Sequence, residues 1–246
     1  GLLSLKNSVI SLNFRKETID DTKNSTENVD FSWPGFSLRA DNINLVNNSL
    51  QYRTANNPSK EGEFNPNDIF LSKLNLQAND LNYHPKNGNL KLDRLSFVDR
   101  SGFRLQNLSF EAKLDDSLAM ITGLQLKTNS SWLETDLRMD YPSIEQLIHS
   151  PEKTKVDLQM PTLNLALQDA LFFQPNLSQN AYFPAAQKHP FTGKLEATGT
   201  LADIDINNLQ FHWASSSLQA QGTVFQLMET DSISFNLPVL KVTTTR

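Results

Sequence analysis

Cysteine is absent from the 246 residues, which excludes disulfide scaffolds, thiol catalysis and cysteine zinc sites. That absence fits a bacterial envelope compartment, where stray thiols are oxidised. Apolar residues are also scarce, at 38% of the chain with a mean hydropathy of −0.42, against the usual ~45–50% for globular domains. Leucine and phenylalanine are nevertheless spread evenly, so the expected core is thin and elongated. No apolar run approaches the ~20 residues of a membrane helix, and no stretch reads as a signal peptide. Basic stripes are missing too. A net charge of −5 leaves no counterion-releasing surface, so nucleic acid is excluded as a partner.

Catalytic motifs are equally lacking. No G-x-S-x-G elbow, P-loop or G-x-G-x-x-G occurs among the nine scattered glycines. The four histidines, His84, His149, His189 and His212, never fall at H-x-x-x-H spacing. The pairs Asp20-Asp21, Asp115-Asp116 and Asp203-x-Asp205 lack the glycine and bidentate glutamate of a calcium loop, and read as solvated turn residues. The expectation is a protein that is not an enzyme and uses no metal or other cofactor.

What the chain does contain is period-2 alternation broken by Asn, Asp and Ser clusters, as in strands joined by turns. Ile43-x-Leu45 precedes Asn47-Asn48-Ser49 and Leu50-x-Tyr52; Leu74-x-Leu76 precedes Asn79-Asp80 and Leu81-x-Tyr83. The phrase returns as Leu95-x-Phe97, Leu108-x-Phe110, Leu124-x-Leu126 and Leu209-x-Phe211. Residues two apart share a face, so each phrase sets two large side chains on one side and polar ones on the other. Its recurrence points to a repeat architecture. The polar stretches 15–31 and 54–68 read as long loops, with Phe31, Trp33, Phe36 and Phe64 near their edges. Ser143 is placed to cap a short helix carrying Ile144, Leu147 and Ile148 before Pro151, and residues 169–173 suit another.

The stretch Leu90 to Leu114, containing Ser101-Gly102-Phe103-Arg104-Leu105-Gln106-Asn107-Leu108-Ser109, resembles the strands of AsmA/TamB-like proteins of the Bacteroidetes type. So do Leu124 to Ser131 and the segment Phe191 to Leu201, with its G-x-x-x-x-x-G-x-L spacing and the later Leu209-Gln210-Phe211. The likeness spreads over most of residues 36–245 as many weak positions rather than one sharp motif. It implies an all-β fold: an elongated, repeat-built antiparallel sheet curled into a groove, with one or two short helices. It also implies a periplasmic protein, anchored in the inner membrane by a segment outside these residues. The implied work is phospholipid transport between the inner and outer membranes, or help in outer-membrane protein assembly. Its partners would be phospholipid acyl chains and an outer-membrane assembly protein.

The groove candidates are then Ile43, Leu45, Leu74, Leu76, Leu95, Phe97, Leu108, Phe110, Leu124, Leu126, Leu209 and Phe211. Residues 1–246 are expected to form one continuous β-repeat segment of a larger protein, with a soft sub-boundary near 141–156. Lys73, Lys91, Lys113, Lys194 and Lys241 are expected to guard open strand edges. Alternation alone fits a closed core equally well, so the second reading is a closed β-sandwich, adhesin-like or structural, binding protein or glycan through its loops.

Overall fold

The computed structural model describes residues 1–13, 32–54, 62–229 and 231–244. They form one open, curled sheet of thirteen strands. The strands are β1 (Leu2–Lys6), β2 (Val9–Asn13), β3 (Leu38–Arg53), β4 (Asp68–His84), β5 (Asn87–Asp99), β6 (Arg104–Asp115) and β7 (Leu118–Lys127). There follow β8 (Trp132–Asp140), β9 (Lys155–Leu165), β10 (Phe191–Thr200), β11 (Ile204–Trp213), β12 (Ser216–Phe225) and β13 (Ser234–Thr243). From β3 onward each strand pairs antiparallel with the next, while β1 and β2 both lie parallel along β3. A meander can use short connections, and several here are tight: Lys86 between β4 and β5, and Ala214 between β11 and β12, adopt positive φ.

Two of the expected turns are not turns. Asn47-Asn48-Ser49 lies inside the sixteen-residue β3, and Asn79-Asp80 lies inside the seventeen-residue β4. Both clusters are β-bulges. The pairing of β3 with β4 shifts between Leu45 and Asn48, and that of β4 with β5 shifts between Asn79 and Asn82. Asn47 and Asp80 carry positive φ there. An extra residue reverses which side subsequent side chains face. That is why the apolar positions change parity, from Ile43 and Leu45 to Leu50 and Tyr52, without changing face. The same correction recurs at Asp93-Arg94 in β5, Gln106-Asn107 in β6, Thr122-Gly123 in β7, Pro161-Thr162 in β9 and Asn207-Asn208 in β11.

Polar side chains satisfy the backbone groups that these irregularities strand. Asn75 Oδ1 accepts the Asn47 N–H at 3.0 Å, and Asp136 Oδ1 accepts the Gly123 N–H at 2.5 Å. Asn48, fully buried, joins the first two strands to the sheet. Its Oδ1 accepts the Ser8 N–H at 2.8 Å and its Nδ2 donates to the Leu5 carbonyl at 3.1 Å. The Asn and Asp clusters therefore serve as backbone partners within strands, a role that sequence shares with turns.

The short helices are connectors. α1 (Ile144–His149) starts at Ser143, whose hydroxyl accepts the Gln146 N–H at 3.1 Å, and a 3₁₀ turn at Pro151–Lys153 follows. Between β9 and β10 lie α2 (Leu167–Ala170), a 3₁₀ turn (Pro175–Gln179) and α3 (Phe183–Ala186). Of the loop expected at 15–31, every residue lies outside the described ones, as does Phe31. The ends of the second loop are pinned, with the Thr54 N–H on the Asn67 carbonyl and the Gly62 N–H on the Ser101 carbonyl. The lysines expected to guard edges do not stand there. Lys73, Lys91, Lys113 and Lys194 lie on interior strands, and only Lys241 is on an edge strand, because the meander keeps adding neighbours to each strand.

Two predictions follow from this packing. A Cβ at Gly193 would run into the Gln210 carbonyl oxygen, whereas one at Gly88 would meet only ordinary contacts at 3.6 Å and beyond. Gly193→Ala should cost about 1–3 kcal/mol by urea unfolding, and Gly88→Ala should be neutral within about 1 kcal/mol. Asn48→Ala should cost about 1–3 kcal/mol by stranding buried backbone groups. Hydrogen exchange should then quicken at β1 and β2 before the rest of the sheet.

Candidate functional site

Directly paired residues on neighbouring strands project to the same face, so the register traces each face across the sheet. One row starts at Leu5 and runs through Leu45, Leu76, Leu95 and Leu108. It continues through Leu126, Leu133, Leu163, Gly193, Phe211 and Leu218 to Val242. Every strand except β2 contributes one residue, and the only one without a side chain is Gly193. Phe211 packs its ring there, where a glycine lets an aromatic cover the neighbouring backbone. The ring also stacks on Phe191 at 5.5 Å between centroids, and Phe191 stacks on Trp213 at 5.8 Å.

A second row runs Leu90, Ala112, Ile121, Leu137, Leu158, Ala197, Ile206 and Gly222. Gly222 matters for shape, because a Cβ there would strike the Asn236 carbonyl oxygen of β13. The face is consequently apolar over most of its width. Its large residues are mostly half-buried rather than buried: Leu74, Leu92 and Leu105 fall below a tenth exposed, while Leu45, Leu76, Leu95, Leu108, Leu126 and Phe211 do not. They shelter one another along a single layer.

All twelve groove candidates reach this face. Leu45, Leu76, Leu95, Leu108, Leu126 and Phe211 occupy the leucine row itself. Ile43, Leu74, Phe97, Phe110, Leu124 and Leu209 stand two residues away on the same strands. Sequence reasoning missed Leu133, Leu163, Leu218, Phe191 and Trp213. The signal was present in Leu133-x-Thr135-x-Leu137-x-Met139, and in Leu158-x-Met160 followed by Leu163-x-Leu165, but the latter reads as one face only after allowing a bulge at Pro161-Thr162.

Connectors pack against the strand ends. At one end Phe103 lies 5.7 Å from Phe172 and 5.0 Å from Phe173, and Phe64 lies 5.4 Å from Phe173. The buried Asp169 anchors this end: its Oδ2 accepts the Thr128 hydroxyl and the Ser130 and Ser131 N–H groups, the latter two at 3.2 and 2.9 Å. At the opposite end, Tyr141 is buried below α1 and donates its hydroxyl to the Asp115 carbonyl at 3.0 Å. Burial, reinforced by the Asp115 and Asp116 charges, pushes the Tyr141 phenol up to about 12. Trp33 Nε1 donates to Asp116 Oδ1 at 3.1 Å, and that bond holds the Asp116 carboxyl below its ordinary value, with help from Lys86. Trp33 and Phe36 also lie against Tyr83. Phe64, beside the second loop, thus packs on the connector after α2, while Trp33 and Phe36 engage Tyr83 of β4.

Of the acidic pairs, Asp20-Asp21 lies outside the described residues, and the other two act as turn and strand acceptors. Asp115 accepts the Ser117 N–H at 2.8 Å, Asp203 the Gln226 N–H at 3.1 Å, and Asp205 the Thr223 hydroxyl at 2.6 Å. Among the described residues, no three His, Asp or Glu side chains gather as metal ligands, and no helix is long and apolar enough to cross a membrane. The histidines stand apart; His84 Nδ1 meets the Ser37 hydroxyl at 2.9 Å. No protein-family model matches the chain, and neither a curated protein nor a solved structure matches it significantly.

The Tyr141 environment fixes a pH response. A phenol whose folded value lies near 12 rather than its ordinary value of 10.0 stabilises the fold fully below pH 10. That stabilisation is lost as pH rises through 12, because the unfolded chain then ionises more readily. Between those limits the wild type should lose about 2–3 kcal/mol relative to Tyr141→Phe, measured as the difference in urea midpoints across alkaline buffers.

Proposed function

We propose that this chain is a non-enzymatic, periplasmic segment of an AsmA/TamB-like protein, and that its apolar face carries phospholipid acyl chains between the inner and outer membranes. The observation that carries the reading is the leucine row: one residue from every strand but β2, in register from β1 to β13, apolar throughout and interrupted only where Phe211 lies over Gly193. A conduit needs an unbroken apolar path and no deep trap along it. Each methylene sheltered from water contributes about 0.8 kcal/mol. Similar leucines at successive strands, spaced about 4.8 Å apart, give a chain similar stabilisation at each step, so it can advance without meeting one dominant well.

The half-buried state of the row supports the same reading. In a closed sandwich these side chains would be covered by a second sheet; here the described strands all belong to one open sheet, which favours a groove over a closed core. The edge strands suit a structure that docks against other β elements. Leu2, Val9, Phe235 and Val242, on the outermost strands among the described residues, are each more than two-thirds exposed, a feature that strand addition would cover. Help in outer-membrane protein assembly, through such an edge, is the second activity within this reading.

Native mass spectrometry of the purified chain, with solvent extraction, tests the proposal. Co-purified phospholipid in one or several copies is the expected result; a lipid-free protein that also ignores a fluorescent fatty acid would sink it. Leu126→Asp and Phe211→Asp should each reduce lipid occupancy at least fivefold while the far-UV circular dichroism stays β. Unchanged occupancy in both would remove the row from the mechanism.

A further inference from the structure

The opposite face of the sheet carries its own ladders, and they are not featureless. From β3 to β7 one polar row runs Arg39, Asn82, Asn89, Lys113 and Met120, and the next runs Asn42, Asn79, Lys91, Glu111 and Thr122. Asn89 and Lys91, two residues apart on β5, pair with Asn82 and Asn79, so those asparagines share a face although the Asp80 bulge separates them. The bulges bend this part of the sheet and leave depressions of about 510, 360 and 420 Å³ on the polar side. They adjoin one another, sharing Lys91, Glu111 and Thr122 in one case and Asp80 and Asn89 in the other. Together they make a trough running across five strands, roughly 19 Å long at the spacing of neighbouring strands.

We propose that this trough is a second binding site, and that it takes a linear, uncharged glycan lying across the strands. Three features select that ligand. First, the lining offers amides and hydroxyls, including Asn82, Asn89, Ser109, Thr122 and Gln125, which can both donate to and accept from sugar hydroxyls. Second, the charges nearly cancel. Arg39, Lys91 and Lys113 stand against Asp41, Asp80, Asp93 and Glu111, and the Arg39–Asp41 and Lys91–Glu111 pairs are already closed at 2.9 and 2.8 Å. A strongly anionic or cationic polymer would find no complementary field.

Third, the Oδ1 of Asn82, in the wall of the trough, is buried without a hydrogen-bond partner among the described residues. A buried acceptor without a partner is costly, and turning the side chain toward a ligand hydroxyl in the trough would satisfy it. The strand spacing of about 4.8 Å is also close to the length of one pyranose in an extended chain, so successive sugars would meet equivalent rows.

Isothermal titration of the full chain with cellohexaose and chitohexaose, against cellobiose and hexagalacturonate, decides the matter. At least one neutral hexasaccharide should bind tenfold or more tightly than the disaccharide and the acidic hexamer. The double variant Asn82→Leu, Gln125→Ala should weaken that binding at least fivefold, with the urea midpoint unchanged or raised because an unpaired acceptor has gone. Absence of binding by both neutral hexasaccharides at millimolar concentration would overturn the site. So would equal affinity for cellobiose, preference for the acidic hexamer, or indifference to the double variant. Lipid occupancy, carried by the other face, should not change with the variant.

Discussion

Everything in this structure depends on keeping apolar side chains on one face of very long strands. A strand of sixteen or seventeen residues, such as β3 or β4, twists continuously, and a strict alternation would present one flat stripe. The protein instead breaks each long strand with an extra residue and changes the parity of its leucines at the same place. The bend and the compensating parity change arise together. Neither would help alone: a bulge without the parity change would turn leucines to water, and a parity change without the bulge would do the same.

That coupling accounts for the unusual composition. A single curled layer has one apolar face and no second sheet to cover it, so it needs fewer apolar residues than a two-layer domain of the same length. Each bulge and each close approach needs a specific residue. Asn75, Asp136 and Asn48 supply side-chain partners to stranded backbone groups, and Gly193 and Gly222 remove a Cβ where neighbouring carbonyls come close. Richness in asparagine and poverty in apolar residues are thus two aspects of one architecture. The polar face is shaped by the same bends, which is why depressions form beside the bulges of β4, β5 and β7.

Much of this was legible in the chain. Alternation at Leu74-x-Leu76, Leu124-x-Leu126 and Leu209-x-Phe211 identified strands and the side each presents, and Ser143 marked the start of α1. The twelve groove candidates all share the apolar face because local periodicity is a property of the backbone itself. What misled was the Asn-rich clusters. Asn47-Asn48 and Asn79-Asp80 look like hairpin turns, since a turn and a bulge both need residues that tolerate positive φ and bind nearby backbone. The distinction rests on whether the chain reverses, and no local pattern records that.

By itself, then, the sequence determined the β class, the residue set of each face and the positions where the strands are interrupted, because these follow from side-chain period and local hydrogen bonding. Only the tertiary structure decided which interruptions reverse the chain and which merely bend it. It alone decided that Leu5 and Val242, 237 residues apart, end the same row, and that the row is half-open along one layer. Those properties belong to the pairing between strands, where register links residues that lie far apart along the chain.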